Sequence, residues 1–219
     1  KWVVGLFYYS EKSTTETYFY ADPAIFGAQF TELSDPLPTL ESKAVGVFAN
    51  IDYDLTDKIE LVLGGRYSYD DKSMVRGLTR TYGTFVLADT SGVTDLQKDW
   101  SKFTFSAGLN YHLTADVMFF GSYSEGYRAG GFNANAFDEL SYEPESIDAL
   151  ELGIKSHWFD DRIELNVSAF SNDYTDKQET VSKIILDENG EQVDFVTSIQ
   201  NSSTATVRGV ELEFLALIS

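Results

Sequence analysis

The stretch IELVLGGRYSY, residues 59–69, decides the fold class of this 219-residue chain. Its odd-numbered positions hold Ile, Leu, Leu, Gly, Tyr and Tyr, whereas its even-numbered positions hold Glu, Val, Gly, Arg and Ser. A strand sends alternate side chains to opposite faces, while a helix would scatter these residues around its circumference. The same alternation recurs in FTFSAGLNY, residues 103–111, and in IELNVSA, residues 163–169. The period therefore predicts strands with one apolar and one polar face.

The predicted strands are roughly twice as long as those of ordinary globular proteins. A strand rises about 3.3 Å per residue, so about 12 residues at a tilt of about 40° span about 30 Å, the thickness of a hydrocarbon core. We therefore expect eight strands that are long enough to cross a bilayer. Their predicted windows are 2–11, 43–55, 58–70, 99–113, 116–128, 145–158, 162–175 and 197–217.

Short and long connections alternate between these strands. Tight turns are predicted at 56–57, 114–115 and 160–161, and long loops at about 12–42, 71–98, 129–144 and 176–196. All tight turns then fall at one end of the strands, as in outer-membrane barrels with short periplasmic turns and long external loops. In the last loop, two short apolar runs flank Asp187-Glu188-Asn189-Gly190 and predict a small hairpin beyond the membrane.

Aromatic residues cluster near the ends of the predicted strands. In a barrel they would form interfacial girdles, with ring bodies in lipid and polar tips among the headgroups. Ordinary cross-strand aromatic pairing is the alternative interpretation. The residues concerned are Tyr53, Tyr67, Tyr69, Trp100, Tyr111, Tyr123, Tyr127, Trp158 and Tyr174.

The composition excludes several classes of function. Sixteen Lys and Arg against 35 Asp and Glu give a net charge of −19, which disfavours nucleic acid as a partner. There is no cysteine, so disulfides, thiol nucleophiles and cysteine–zinc sites are excluded. Neither His112 nor His157 belongs to a nucleophile–base or metal-ligand pattern. We expect no catalytic residues, no resident metal and no cofactor.

Several motifs resemble the barrel of TonB-dependent outer-membrane receptors. Each motif alone is weak, but their order and spacing over most of residues 41–215 are fairly specific. They are FANIDYDLTD at 48–57, GGRY at 64–67, GYRAGGFN at 126–133, YEPE at 142–145, ELGIKS at 151–156, FSNDYTDKQ at 170–178 and RGVELE at 208–213.

The resemblance implies an all-β, antiparallel, up-and-down transmembrane barrel of about 22 strands, closed by an N-terminal plug. Eight strands are about a third of such a barrel, so we expect residues 1–219 to be a barrel segment without the plug domain. The implied partners are outer-membrane lipid and lipopolysaccharide, the plug and other barrel strands, and a TonB energising complex that acts through the plug. A small-molecule ligand such as a ferric siderophore is also implied.

The glycine-rich segment 126–135 is the strongest candidate for ligand binding. Glycines let the backbone turn, the Arg128 guanidinium is a planar donor for an acidic ligand, and two rings offer stacking surfaces. Alternatively, the glycines only let the loop fold over the barrel mouth. The candidate substrate-binding residues are Tyr127, Arg128, Phe132, Asn133 and Asn135.

Polar residues that alternate with the apolar ones are predicted to face the barrel lumen. An Arg or Lys on the lipid face costs about 2–4 kcal/mol near the midplane, so these side chains should point inward. They either form a wet wall or contact the solute or plug directly. The lumen candidates are Glu60, Arg66, Lys102, Asn110, Glu164 and Asn166.

Acidic residues are frequent in the predicted external loops. They either hold divalent cations that bridge to lipopolysaccharide phosphates or keep the long loops soluble. The candidates are Asp138, Glu139, Glu143, Glu145, Asp187, Glu188 and Glu191.

The sequence thus predicts a receptor segment in the bacterial outer membrane that supplies barrel wall and external loops for uptake of a scarce solute. A ferric siderophore, a cobalamin or an oligosaccharide would fit, and the glycine-rich loop most resembles the siderophore branch. One alternative is a self-contained eight-stranded barrel with a structural or adhesive role. Another is a soluble extracellular β-sandwich that binds carbohydrate, with its apolar faces packed on each other.

Overall fold

A computed structural model describes residues 1–14, 18–19, 33–34, 38–82, 85–134, 136, 139–186, 190, 192–202 and 204–217. This part of the chain is built from strands and their connections, and none of its elements is a helix that could cross a membrane. The strands are β1 (Trp2–Thr14), β2 (Tyr18–Phe19), β3 (Leu33–Ser34), β4 (Thr39–Thr56), β5 (Ile59–Tyr82), β6 (Phe85–His112), β7 (Val117–Arg128), β8 (Gly131–Phe132), β9 (Ser141–Tyr142), β10 (Glu145–Trp158), β11 (Ile163–Thr175), β12 (Gln178–Leu186), β13 (Gln192–Asn201) and β14 (Thr204–Ala216).

Eight of these strands form one antiparallel sheet. Their order is β1-β4-β5-β6-β7-β10-β11-β14, so each strand lies beside the next long strand of the chain. This is the up-and-down arrangement that the sequence predicts, with the predicted number of strands. The other six strands pair as β2–β3, β8–β9 and β12–β13.

The three short connections lie at one edge of the sheet, which we call the turn end. Residues 57–58 join β4 to β5, residues 113–116 join β6 to β7, and residues 159–162 join β10 to β11. In the first turn, the Thr56 hydroxyl accepts hydrogen bonds from the backbone N–H groups of Lys58 and Ile59, at 3.2 and 3.1 Å. The predicted positions of the tight turns are therefore confirmed to within a few residues. The opposite edge is the loop end.

Two predicted boundaries at the loop end are wrong. The predicted loop 71–98 is largely strand, because β5 and β6 continue to pair as far as Tyr82 and Phe85. This part of the ladder does not divide into an apolar and a polar face, since Met74 and Arg76 are buried under the loops, so the period gives no signal there. The predicted strand 197–217 is two strands, since β13 belongs to the small hairpin and β14 begins only at Thr204.

The predicted hairpin in the last loop is confirmed as β12–β13, whereas most of its turn lies outside the described residues. The loop 12–42 also falls mostly outside them.

One face of the sheet is apolar across all eight strands. Registers such as Ile51 opposite Leu63, and Leu63 opposite Ala107, place the apolar positions of neighbouring strands in common rows. Leu61, Phe105 and Leu165 all lie on this apolar face, and none of them is buried; Phe105 is 43% exposed. An exposed apolar surface of this extent is suited to lipid rather than water.

The aromatic residues divide between the two faces. Six of the nine predicted girdle residues lie on the apolar face, namely Tyr53, Tyr67, Tyr69, Tyr111, Tyr123 and Trp158. A seventh, Tyr127, stands opposite Ser146 and lines a cleft at the loop end. Trp100 and Tyr174 lie on the opposite, polar face, in register with Asp70 and Ile147. Their girdle assignment is wrong because position near a strand end does not fix which face a residue occupies.

The sheet is open in the described part of the chain. Strand β1 pairs only with β4, and β14 pairs only with β11. These residues therefore do not form the closed ladder that a self-contained eight-stranded barrel requires. Among them there is also no second sheet that covers the apolar face, as a soluble sandwich would require.

Candidate functional site

The six lumen candidates lie together on the polar face. Asn110 donates a hydrogen bond to Glu60 at 2.8 Å, and Asn166 donates to Glu164 at 2.7 Å. The Arg66 guanidinium donates to the Ser68 hydroxyl at 2.9 Å. These bonds satisfy polar groups within the wall itself, as expected for a hydrated barrel interior. Lys102, the sixth, is exposed near the loop end.

The loop end contains nearly all of the compact packing of the described chain. Three segments meet there, and we call them the loop assembly: the part of the β5–β6 ladder from residue 72 to residue 100, residues 129–144, and the β12–β13 hairpin. Apart from Ser156, every buried side chain of the described residues belongs to it. These are Met74, Arg76, Trp100, Asn133, Ala136, Val196 and Ser198.

The glycines of the predicted binding loop allow close packing within this assembly. A Cβ on Gly130 would lie 2.7 Å from the Trp100 ring, and one on Gly131 would meet the Tyr142 hydroxyl at less than contact distance. Neither glycine has a φ in the left-handed region. The structure thus gives the glycines a role in folding the loop, in line with the second of the two interpretations from sequence.

Asn133 joins two parts of the loop assembly. Its amide nitrogen donates to the backbone oxygens of Glu139 and Ile199, at 2.8 and 2.9 Å. Its amide oxygen accepts from the Ile199 N–H at 2.8 Å, so the side chain pairs with β13 much as a strand would. Both amide N–H groups are thus committed, and the residue is only 6% exposed. Its geometry is that of a positioning residue.

Arg76 of β5 also holds the loop segment around Asn133. Its guanidinium is 3% exposed and donates to the backbone oxygens of Asn133 and Ala134, at 3.1 and 2.6 Å. Lys72, four residues earlier on the same face of β5, donates to the Gly130 oxygen at 2.7 Å. Two cations of β5 therefore hold the backbone of the loop that carries the ligand candidates.

Gln178 and Asn201 fix the base of the β12–β13 hairpin. The Gln178 amide donates to the oxygens of Ala129 and Glu143, each at 3.0 Å. Asn201 accepts from the Glu143 N–H at 2.7 Å and donates back to its oxygen at 2.9 Å. The base of the hairpin is thus hydrogen-bonded to Ala129 and Glu143 of loop 129–144, in addition to the pairing of Asn133 with Ile199.

The other ligand candidates differ in their exposure to solvent and in their contacts. Arg128 is exposed, and its guanidinium makes no hydrogen bond or ion pair with the described residues. Phe132 packs beside Trp100, with ring centroids 6.4 Å apart. The Tyr127 hydroxyl is buried without a hydrogen-bond partner in the described chain. Asn135 lies outside the described residues.

Tyr127 lines a cleft of about 360 Å³ between β6 and β10. The cleft exists because the β6–β7 ladder ends at Ser106 opposite Ser124, after which the two strands separate. The Glu125 carboxylate partly replaces the ladder by accepting the Phe105 N–H at 3.3 Å. Trp100, Lys102 and Glu145 also line this cleft.

Sequence reasoning missed most of the residues that build the loop assembly. Their partners are distant in the chain, so no local pattern marks them. A possible signal was the row of polar residues that continues along β5 beyond the apolar stretch. The missed residues are Lys72, Arg76, Lys98, Trp100, Gln178 and Asn201.

Two of the acidic loop candidates have structural contacts. Glu143 accepts hydrogen bonds from the Lys98 ammonium and from the Trp100 indole, the latter at 3.1 Å. Glu145 accepts the Gln178 N–H at 2.5 Å. Glu139 is exposed. Asp138, Asp187, Glu188 and Glu191 lie outside the described residues. Within the described residues, no cluster of three acidic or histidine side chains is arranged to hold a metal ion.

The Glu143 contact predicts an acid-sensitive step in the loop assembly. The hydrogen bond from Lys98 lowers the pKa of Glu143 below its ordinary value of 4.5, and the Trp100 bond acts in the same direction. A carboxylate with a lowered pKa stabilises the folded state above its ordinary pKa, and the contribution is lost as pH falls through the lowered value. Fluorine NMR of receptor labelled with fluorotryptophan should therefore show the Trp100 resonance shifting below about pH 4.5.

Glu143→Gln is the control for this titration, because it keeps the shape of the side chain and cannot ionise. The Trp100 resonance is identified by its loss in Trp100→Phe. In Glu143→Gln, this resonance should be insensitive to the same acidification. A shift of equal size in Glu143→Gln would show that another group is responsible.

Comparison with known proteins agrees with this architecture. The chain matches the family model for TonB dependent receptor-like β-barrels over residues 1–217. Among solved structures, the ferric yersiniabactin uptake receptor FyuA from Yersinia pestis is 18% identical, with a TM-score of 0.75; the match covers 97% of this chain and 29% of that one. The copper transporter OprC is 14% identical, with a TM-score of 0.68 and coverages of 100% and 33%.

The open form of the ferric-catecholate import receptor Fiu from E. coli K12 is 15% identical, with a TM-score of 0.64 and coverages of 100% and 30%. At these identities the likeness shows a shared fold. The chain spans about a third of the length of these proteins or slightly less. With the family model matched over almost every residue, the chain belongs to the β-barrel family of TonB-dependent receptors and is a protein of the bacterial outer membrane.

Proposed function

We propose that this chain forms part of the wall and external loops of an outer-membrane receptor that imports a scarce solute, with a ferric siderophore as the best candidate. The chain itself performs no catalysis in this proposal. FyuA and Fiu are receptors for iron complexes, and OprC is a copper transporter. These neighbours favour an iron- or copper-bearing solute over the cobalamin and the oligosaccharide that the sequence also left open.

The observation that carries the proposal is the contrast between the two faces of one sheet, with a folded loop assembly at one end. The apolar face suits lipid, and the opposite face carries the hydrogen-bonded polar wall. At the loop end, Tyr127 and Trp100 line a cleft; Arg128 follows Tyr127 on β7, and Phe132 packs beside Trp100. A wall with a ligand-facing loop at its mouth is the arrangement that receptor-mediated uptake needs.

We further propose that residues 1–219 are one barrel segment of a longer receptor. The two outer strands of the described sheet, β1 and β14, each pair on one side only. Unpaired strand edges are unstable in lipid, so further strands of the same barrel would complete the ladder. A plug domain, and through it the TonB energising complex, would supply the closure and the driving force.

Arg128→Ala tests the proposed binding loop in the full-length receptor. The exposed guanidinium would form charge-assisted hydrogen bonds to an acidic ligand, so its loss should weaken uptake of a ferric siderophore by about tenfold. Uptake of radiolabelled iron by iron-starved cells measures this effect. Immunoblots of outer membranes should show an unchanged amount of receptor.

Arg162→Ala is the matched control, because Arg162 lies in the short connection at the opposite, turn end. It should leave iron uptake unchanged. If Arg128→Ala also leaves uptake unchanged, Arg128 does not belong to the binding site.

A further inference from the structure

The apolar face of the main sheet is free of charged side chains up to a definite limit on every strand. On β5, the positions of this face from Ile59 to Tyr69 are all uncharged, and the next one is Asp71. The polar face of the same stretch contains Glu60 and Arg66. On each of the eight described strands, one residue is the first charged residue of the apolar face when the strand is followed from the turn end to the loop end. These residues, which we call the boundary residues, are Lys12, Lys43, Asp71, Asp99, Glu125, Asp148, Asp173 and Arg208, in the order of the sheet.

Six of the boundary residues form two straight rows across neighbouring strands. In each row the residues stand directly opposite one another in the ladders. One row crosses β4, β5 and β6, and the other crosses β7, β10 and β11. The first consists of Lys43, Asp71 and Asp99, and the second of Glu125, Asp148 and Asp173.

The limit as a whole is inclined to the rows of the sheet. The second row lies six residues nearer the turn end than the first, because the β6–β7 register puts Glu125 level with Phe105, six residues from Asp99. At the two outer strands, Lys12 lies two residues nearer the loop end than the first row, and Arg208 lies two residues nearer the turn end than the second. From β1 to β14 the limit therefore moves toward the turn end by two, six and two residues, ten in all, over seven steps between neighbouring strands.

This incline agrees with the tilt of strands that cross a bilayer. Ten residues at about 3.3 Å span about 33 Å along the strands, and seven strand spacings of about 4.8 Å span about 34 Å across them. A line through the boundary residues therefore makes an angle of about 45° with the rows, and the strands of membrane barrels tilt by about 35–45°. At this tilt, the 11 residues from Ile59 to Tyr69 rise about 26 Å, close to the height of about 25 Å of the outer apolar band of such barrels.

The pairing between β6 and β7 ends at the same limit. The ladder stops at Ser106 opposite Ser124, one residue before Glu125, although β7 remains paired with β10 as far as Arg128. Beyond that point the Glu125 carboxylate accepts the Phe105 N–H in place of a strand. Backbone groups without a partner are not tolerated in hydrocarbon, because no water is there to bind them. The break in the ladder is therefore a second and independent indication that the hydrocarbon ends near Glu125.

We propose that the boundary residues mark the outer edge of the hydrocarbon layer and that their side chains form a contact surface for lipid headgroups. Charges on the lipid face are costly at the midplane of a bilayer and nearly without cost at its interfaces. The break between β6 and β7 and the whole loop assembly then lie among the headgroups and in the water beyond them. This inference goes beyond the proposed uptake function, since it does not depend on which solute is imported.

Three single-cysteine variants of the full-length receptor in lipid vesicles test the incline, each labelled with a nitroxide. Ile51 and Arg208 lie in one row of the sheet, whereas Lys43 lies eight residues from Ile51 on β4. The labels of Lys43→Cys and Arg208→Cys should lie at equal depth, and that of Ile51→Cys about 19 Å deeper. Power-saturation electron paramagnetic resonance measures this depth. Collisions with a water-soluble nickel chelate should be frequent at both boundary positions and rare at Ile51, and collisions with oxygen should show the reverse order.

A second pair, Asp71→Cys and Asp173→Cys, repeats the comparison with boundary residues that are six residues apart in register, and these labels should also lie at equal depth. Asn50→Cys is the matched control, because Asn50 adjoins Ile51 on the polar face and its label should not show frequent oxygen collisions. An Arg208 label as deep as the Ile51 label would overturn the proposal, since the hydrocarbon edge would then follow the rows of the sheet. So would a difference of about 20 Å in depth between the Asp71 and Asp173 labels, as untilted strands would give. Neither measurement involves solute uptake, so failure of this inference is distinct from failure of the proposed function.

Discussion

Leu63→Arg should lower the free energy of unfolding of the receptor in lipid vesicles by about 2–4 kcal/mol, the cost of an arginine on the lipid face near the midplane. Leu63 lies at the middle of the apolar stretch of β5 and is 41% exposed on the apolar face. A guanidinium there must leave water or distort the bilayer around it. Urea titration of the folded barrel in vesicles, followed by gel mobility, measures the change.

Val62→Arg is the matched control for this substitution. Val62 is the neighbour of Leu63 in the chain, and its side chain lies on the opposite, polar face. An arginine there would meet a hydrated wall that already contains Arg66, so its cost should be much smaller. If Val62→Arg proves the more damaging of the two, the faces are assigned the wrong way round and the receptor proposal fails with them.

Asn133→Ala should release the β12–β13 hairpin from loop 129–144. The substitution removes three hydrogen bonds and leaves the half-buried N–H and oxygen of Ile199 without their partner. With about 1–3 kcal/mol for each buried polar group left unsatisfied, we expect the loop assembly to lose about 3 kcal/mol, which speeds exchange of the Ile199 amide hydrogen roughly 100-fold. Hydrogen exchange with mass spectrometry on the full-length receptor measures this.

Asn172→Ala provides the comparison, because Asn172 lies on the polar face of β11 and takes no part in the loop assembly. It should leave exchange in β12 and β13 unaltered. The strands of the main sheet should also exchange as before in Asn133→Ala, since they do not depend on the loop. Unchanged exchange at Ile199 in Asn133→Ala would mean that packing around Val196 and Ala136 is sufficient to hold the hairpin.

The main sheet was largely predictable from local patterns. Eight strands, their antiparallel order and the faces of Leu61, Phe105 and Leu165 all follow from alternation and from the spacing of short turns. The prediction of strand boundaries failed where the alternation of apolar and polar residues stops. Beyond residue 71, the loops cover Met74, Arg76 and Trp100 on one face of β5 and β6, so the alternation disappears while the backbone ladder continues.

The candidate site was predictable only in part. The sequence singled out the segment 126–133 as a glycine-rich entry to a loop and as the candidate for ligand binding, but its members have different environments in space. Arg128 is exposed and has no hydrogen bond or ion pair with the residues that the structure describes, whereas Asn133 is buried with both amide N–H groups committed. Nothing in the local sequence distinguishes the two, because burial depends on which distant segment covers each residue.

The amino-acid order alone specifies which side chains share a face, since the backbone of an extended strand sends neighbours in opposite directions whatever surrounds it. The residues of the lipid-facing side and those of the polar side can therefore be read from the sequence. The environment of Trp100, Asn133 and Lys102 arises only when the loops fold over the sheet. Asn133 and Ile199 are 66 positions apart, and the contact between them forms because three separate connections are brought to the same end of the strands.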